Sequence, residues 1–144
     1  MIRVGFEASL KRLQDEVLVL GSMVEEALGE SIKVLQARDM EGSQRLIAYD
    51  ERVNQKRFAI EEETLTLIAT QQPVAGDMRY LAAVLEIVTE LERIGDYAKG
   101  IAKINLMIGP GQLIMPLVDV PRMGKWARER LNRAREACVE RDLA

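Results

Sequence analysis

Histidine does not occur in this chain. Its absence removes Ser-His-Asp triads, the HExxH zinc site and the Glu-x-x-His di-iron motif from consideration. There is a single cysteine, Cys138, so neither an intrachain disulfide nor a thiolate metal cluster can form. That usage fits a reducing, cytoplasmic setting. No run of about 18 uncharged apolar residues exists, so no membrane span is expected. The opening MIRVGFEASLKRL is broken by charges and lacks the apolar region of a signal peptide. Basic residues do not outnumber acidic ones: 20 stand against 23, for a net charge of −3, and nothing asks for a nucleic-acid partner. No glycine-rich loop has nucleotide-binding spacing, and no serine or threonine hydroxyl has a histidine to activate it. The chain reads as non-catalytic.

Aromatics make up 4% of the 144 residues, whereas 48% are hydrophobic and 30% charged. The apolar set is mostly Leu, Ile, Val, Ala and Met, which suits helix packing better than a sheet sandwich. In the first helix, expected over Phe6–Ala37, the row Phe6, Leu10, Leu13, Val17, Leu20, Val24, Ala27, Ser31, Val34 alternates steps of four and three. Asp39 is placed to cap a second helix over Met40–Gln71, whose Leu46, Val53, Ile60 and Leu67 fall seven apart. Its companion row, Asp50, Arg57 and Thr64, is polar where a seam would be apolar. Either that row carries a site, or it faces solvent while Ile47 and Ile68 widen the buried face. Pro73 separates this helix from a third over Val74–Met107, with a broad apolar face from Leu81 to Asn105. Gly109-Pro110-Gly111 stops it. A fourth helix is expected over Arg122–Arg141, with Met123, Trp126, Ala127, Leu131, Ala134 and Cys138 along one side; Trp126 reads as a core anchor, with a partner surface as the alternative.

The fourth helix repeats the second half of the first at an offset of 103: Gly21 falls on Gly124, Met23 on Trp126, Glu26 on Glu129, Leu28 on Leu131, and Arg38-Asp39 on Arg141-Asp142. The expected fold is therefore all-α, an antiparallel three-helix bundle of long helices over residues 1–108. A connector over 109–121 leads to a helix over 122–144 that begins a second repeat cut short. A lone amphipathic helix cannot bury its own apolar face; it must fold back on the first bundle, pack against another chain or exchange with one, and a homo-oligomer is expected.

The most informative stretch is Leu91-Glu92-Arg93-Ile94-Gly95-Asp96-Tyr97-Ala98. Glu92 and Asp96, four apart, share a helix face, and like charges at that spacing call for something positive between them. Asp50 and Asp96 are equidistant from Pro73 along the chain, so an antiparallel pair of helices sets the two acidic regions at one level. Asn54, a turn beyond Asp50, can offer an amide oxygen. Glu92, Asp96, Asp50 and Asn54 thus compose a candidate oxygen site for a hard cation (Mg²⁺, Mn²⁺ or iron) without histidine. The plainer reading pairs Glu92 with Arg57 or Lys56, and Arg93 with Glu90. Asp77, in the first turn of the third helix, with Arg79 and Arg93, is a candidate contact for a partner or for phosphate.

The run Ile68-Ala69-Thr70-Gln71-Gln72-Pro73-Val74-Ala75-Gly76-Asp77-Met78-Arg79, followed by Leu91 to Ala98, resembles the PhoU family of phosphate-uptake regulators. The resemblance extends from Phe6 to Ala144. It implies tandem three-helix units, often dimeric, and a cytoplasmic negative regulator of the phosphate-starvation response. It also implies, as partners, the membrane-associated ATPase of a phosphate ABC transporter and a sensor histidine kinase. Some members hold metal clusters on E/D-x-x-x-D motifs, a pattern that here falls on Glu92–Asp96 and, as its counterpart, Asp50–Asn54. Asn54 departs from the carboxylate that pattern prefers. A carboxylate-based metal-binding protein and a purely structural oligomerisation module are the competing readings.

Overall fold

The computed structural model describes residues 2–113 and 117–140, with only the backbone of 2–4. Four α-helices account for nearly all of it: α1 (Ile2–Ala37), α2 (Met40–Gln71), α3 (Ala75–Ile108) and α4 (Val120–Glu140). Among the described residues no helix is long and apolar enough to cross a membrane.

The α1–α2 turn is two residues long. Arg38 takes a left-handed conformation (φ 54°), and the Asp39 carboxylate accepts a 2.9 Å hydrogen bond from the Gly42 amide, the expected N-cap. Gln72, also left-handed at φ 46°, ends α2 immediately before Pro73. At the other end of α3, Gly109 (φ 80°) and Gly111 (φ 123°) occupy backbone regions that only glycine enters readily. The fourth helix starts at Val120, two residues earlier than expected, with Pro121 in its first turn, where a missing N–H costs nothing.

α1, α2 and α3 pack against one another in an antiparallel bundle, while among the described helices α4 touches α1 alone. Every residue of the long α1 row from Phe6 to Val34 is buried, including Ser31, whose hydroxyl donates to the Leu28 carbonyl at 2.6 Å. Leu46, Val53, Ile60 and Leu67 face it from α2, and Leu81, Val84, Val88, Leu91, Ala98 and Ala102 from α3.

The α2 row Asp50, Arg57, Thr64 does not face solvent. Asp50 is 4% exposed and Thr64 fully buried, and Arg57 is half-buried against Glu61. Thr64 donates to the Ile60 carbonyl at 2.7 Å and Arg57 to Glu61 at 3.3 Å, which answers part of this buried polarity, while Arg57 Nε and one Asp50 oxygen have no hydrogen-bond partner. Ile47 and Ile68 lie half-buried beside the core.

The fourth helix uses a narrower face than its sequence pattern proposes. Gly124, Leu131 and Cys138, seven apart, form the seam against α1. Met123, Trp126, Ala127 and Ala134 face outward, and Trp126 is 55% exposed with the Arg122 guanidinium 5.7 Å from its ring, not a core anchor. With one neighbour, a helix buries one stripe. The joint is reciprocal: a side chain at Gly21 would meet Arg135, and one at Gly124 would meet Ile32. These two contacts exchange with each other under the 103-residue offset. Glu25 sits at its centre, bonded to Arg135 at 2.6 Å and near Arg128 at 3.9 Å.

Candidate functional site

The α2–α3 seam places Asp50 in the bundle interior, because its row faces α3 at the level of Gly95. One carboxylate oxygen, Oδ2, meets the Lys99 ammonium at 3.5 Å and accepts from the Asn54 amide at 3.3 Å. The other, Oδ1, is buried without a hydrogen-bond partner. It points at Gly95, where an added Cβ would lie 3.8 Å away, beside Val53 and Val24.

Glu92 is half-buried and Asp96 exposed on α3, one turn apart as expected. Among the described residues, no three Asp, Glu or Cys side chains gather where they could hold a metal ion, so Asp50, Glu92 and Asp96 do not converge as a single site. A metal does not fit at Asp50. The groups reaching its one engaged oxygen are N–H donors, and one of them is the Lys99 ammonium, whose charge opposes a cation there. Glu92 and Asp96 alone supply only part of the roughly six oxygen ligands a hard cation takes. Glu92 pairs with neither Lys56 nor Arg57, which are taken by Glu16 and Glu61.

Arg93 is exposed and bonds Glu90 at 3.2 and 3.3 Å, as one reading expected. Hydrogen bonds with Tyr97 and Glu90 hold its guanidinium above the ordinary arginine value. Tyr97 itself is 62% exposed. Asp77 is half-buried in the first turn of α3, its amide donating to the Val74 carbonyl at 3.1 Å, and Arg79 is exposed. Asp77–Arg79 lies at the start of α3 and Arg93 about four turns along it, so the three candidate contacts occupy two patches.

Sequence reasoning missed two features. A cleft of about 220 Å³ opens between α1 and α2, lined by Glu26, Glu30, Arg45, Leu46 and Tyr49. Burial and the Glu26 charge push the Tyr49 phenol up. The second is a polar clamp at the bundle end joining Arg38, Asn105 and the carbonyls of Gly109 and Gly111. Its one sequence signal is an asparagine ending an otherwise apolar α3 row.

A sequence profile described as PhoU domain matches residues 17–104, which takes in all of α2, α3 except its last turn, and the Leu91–Ala98 motif. The chain belongs to the PhoU domain family. It is 33% identical over 138 residues to the phosphate-specific transport system accessory protein PhoU of Serratia marcescens, covering 96% of this chain and 57% of that one. The PhoU homolog of Clostridium acetobutylicum is 33% identical over 144 residues, covering 99% of this chain and 66% of the relative. The fold matches the crystal structure of the phosphate transport system regulatory protein PhoU from Streptococcus pneumoniae with a TM-score of 0.83 at 30% identity. That match covers 92% of this chain and 62% of the other. The chain thus spans roughly three-fifths of the length of these PhoU proteins. Asn105 and α4 fall outside the matched profile, although the longer alignments extend past it.

Proposed function

We propose that this PhoU-family chain is a non-catalytic regulator of phosphate uptake that works in the cytoplasm through protein contacts. Its partners in this reading are the ATPase of a phosphate ABC transporter and a sensor histidine kinase. The observation that carries the proposal is the likeness, over 96% of the chain, to an accessory protein of phosphate-specific transport. The exposed group of Glu90, Arg93, Asp96 and Tyr97 on α3 is a surface suited to contact. It lies on a rigid helix, mixes both charges and presents an aromatic ring.

The α1–α4 reciprocity supports the division into a unit over 1–108, a connector over 109–121 and the opening helix of a second unit over 122–144. Homo-oligomerisation belongs to the same reading. Tyr97, Ile104 and Ile108 stand exposed at steps of seven and four on α3, and Met123 and Trp126 on α4. A metal (Mg²⁺, Mn²⁺ or iron) on Glu92 and Asp96 would draw further ligands from a second copy or a partner.

The test is phosphate accumulation in cells grown in abundant phosphate, with and without this gene. The proposal expects uptake to rise when the gene is removed and to return when it is restored. Unchanged uptake and unchanged starvation-gene expression would end it.

A further inference from the structure

We propose that Lys99 is a built-in counter-cation for the α2–α3 seam, so that the bundle carries at Asp50 a tethered ammonium instead of a bound metal ion.

Asp50 is 4% exposed, and a carboxylate so deep in a helical core needs a positive partner. Three observations say which one. The Lys99 nitrogen lies 3.5 Å from Oδ2, and it is the only cation within 4.0 Å of Asp50 among the described residues. The second group at that oxygen is the Asn54 amide nitrogen, a donor that a metal could not use as a ligand in that orientation. The remaining oxygen, Oδ1, is buried on the side of Gly95 without a hydrogen-bond partner.

The placement of Lys99 follows from helix geometry. It stands one turn after Gly95, so its stem rises beside the position that glycine leaves bare. The side chain is 28% exposed and lies along the seam, its charged end turned toward the carboxylate. An added Cβ at Gly95 would make only ordinary van der Waals contacts, 3.4 Å from Val53 and 3.8 Å from Oδ1, so the glycine leaves this space open without packing demanding it.

A tethered cation differs from a diffusible one in a measurable way. It cannot be chelated, and its contribution depends on both residues together. Asp50→Asn and Lys99→Met, singly and combined, form a double-mutant cycle read by thermal unfolding, each protein being run in EDTA and in excess MnCl₂. Either single change lowers Tm by on the order of 5 °C. The double variant recovers much of that loss, because no charge is then left buried alone. Any Mn²⁺ response of the unaltered protein is the same in Asp50→Asn, since the ion sits elsewhere. Two results overturn the proposal. One is a Tm that falls in EDTA and is restored by Mn²⁺ only while Asp50 is present. The other is a cycle whose losses simply add. If Lys99→Met does not fold, Lys99→Arg supplies the reading, with a Tm near the original and no gain of Mn²⁺ dependence. A Tm that Mn²⁺ restores in Lys99→Arg contradicts it.

Discussion

The guanidinium of Arg38 donates to the side-chain oxygen of Asn105, tying the α1–α2 turn to the last turn of α3. Arg38 also bonds the Gly109 and Gly111 carbonyls, so one side chain closes the C-terminus of α3 that the helix leaves unsatisfied. Asn105, fully buried, turns its amide to the Val34 carbonyl at 3.0 Å and the Ser43 hydroxyl at 2.8 Å. Three helices are joined at one point by a network whose members depend on each other.

Replacing Asn105 with leucine removes both halves of that network at once, leaving Ser43 and the Val34 carbonyl without its amide and Arg38 with only the Gly109 and Gly111 carbonyls. We expect a loss of about 2–4 kcal/mol, seen as a Tm lower by roughly 10 °C. Arg38→Lys is expected to recover little, because an ammonium cannot span three acceptors as the guanidinium does. A Tm within a degree or two of the original for both variants would show the clamp to be incidental.

The glycines separate into two kinds. At Gly124 an added Cβ would lie 2.9 Å from Ile32, so Gly124→Val should lift α4 from α1 and speed hydrogen exchange along α4 while α2 stays protected. At Gly100 nothing lies within 4 Å, and Gly100→Ala should stabilise the protein by up to about 1 kcal/mol through helix propensity. Equal effects at the two sites would contradict the packing described.

Much of this arrangement is readable from the sequence. The alternating row from Phe6 to Val34 is the buried face of α1, and Asp39 is the cap of α2. Periodicity names a row, however, and not the atom a side chain in that row will meet. Asp50 is at the expected level of α3, yet it meets Lys99 instead of sharing a site with Glu92 and Asp96. In α4 the large residues Met123 and Trp126 drew the expected face toward themselves, whereas the seam runs through Gly124, Leu131 and Cys138. A glycine scores as nothing in a hydrophobic pattern but permits the closest approach of two helices. The Arg38 clamp depends on a left-handed residue bringing distant turns together, which no local spacing announces.

Alkaline pH offers a separate check. Burial, then the Glu26 charge, raise the Tyr49 pKa above its ordinary value of 10.0. Since the folded-state value is the higher one, the unfolded chain releases this proton first. The contribution to stability is whole below pH 10.0 and is lost as pH climbs from there through the folded-state value. Tyr49→Phe should flatten that part of the stability-versus-pH curve. A curve unchanged by the substitution would remove Tyr49 as its source.

Self-association through α3 predicts that Ile104→Glu, at a position 53% exposed, shifts the protein to a smaller species by sedimentation without loss of helical signal. A second variant, Trp126→Glu, distinguishes the outer face of α4 from that of α3. If the original protein is already monomeric at tens of micromolar, the oligomer reading fails.

The contact itself can be tested where it should occur. With Tyr97 replaced by a photoreactive amino acid, irradiation of phosphate-replete cells is predicted to link this chain to the transporter ATPase or the sensor kinase, and a reversed charge at Arg93 is predicted to weaken the link. Absence of either adduct from Tyr97 and from neighbouring exposed positions of α3, in cells where the protein still restores normal phosphate uptake, would contradict regulation through this face.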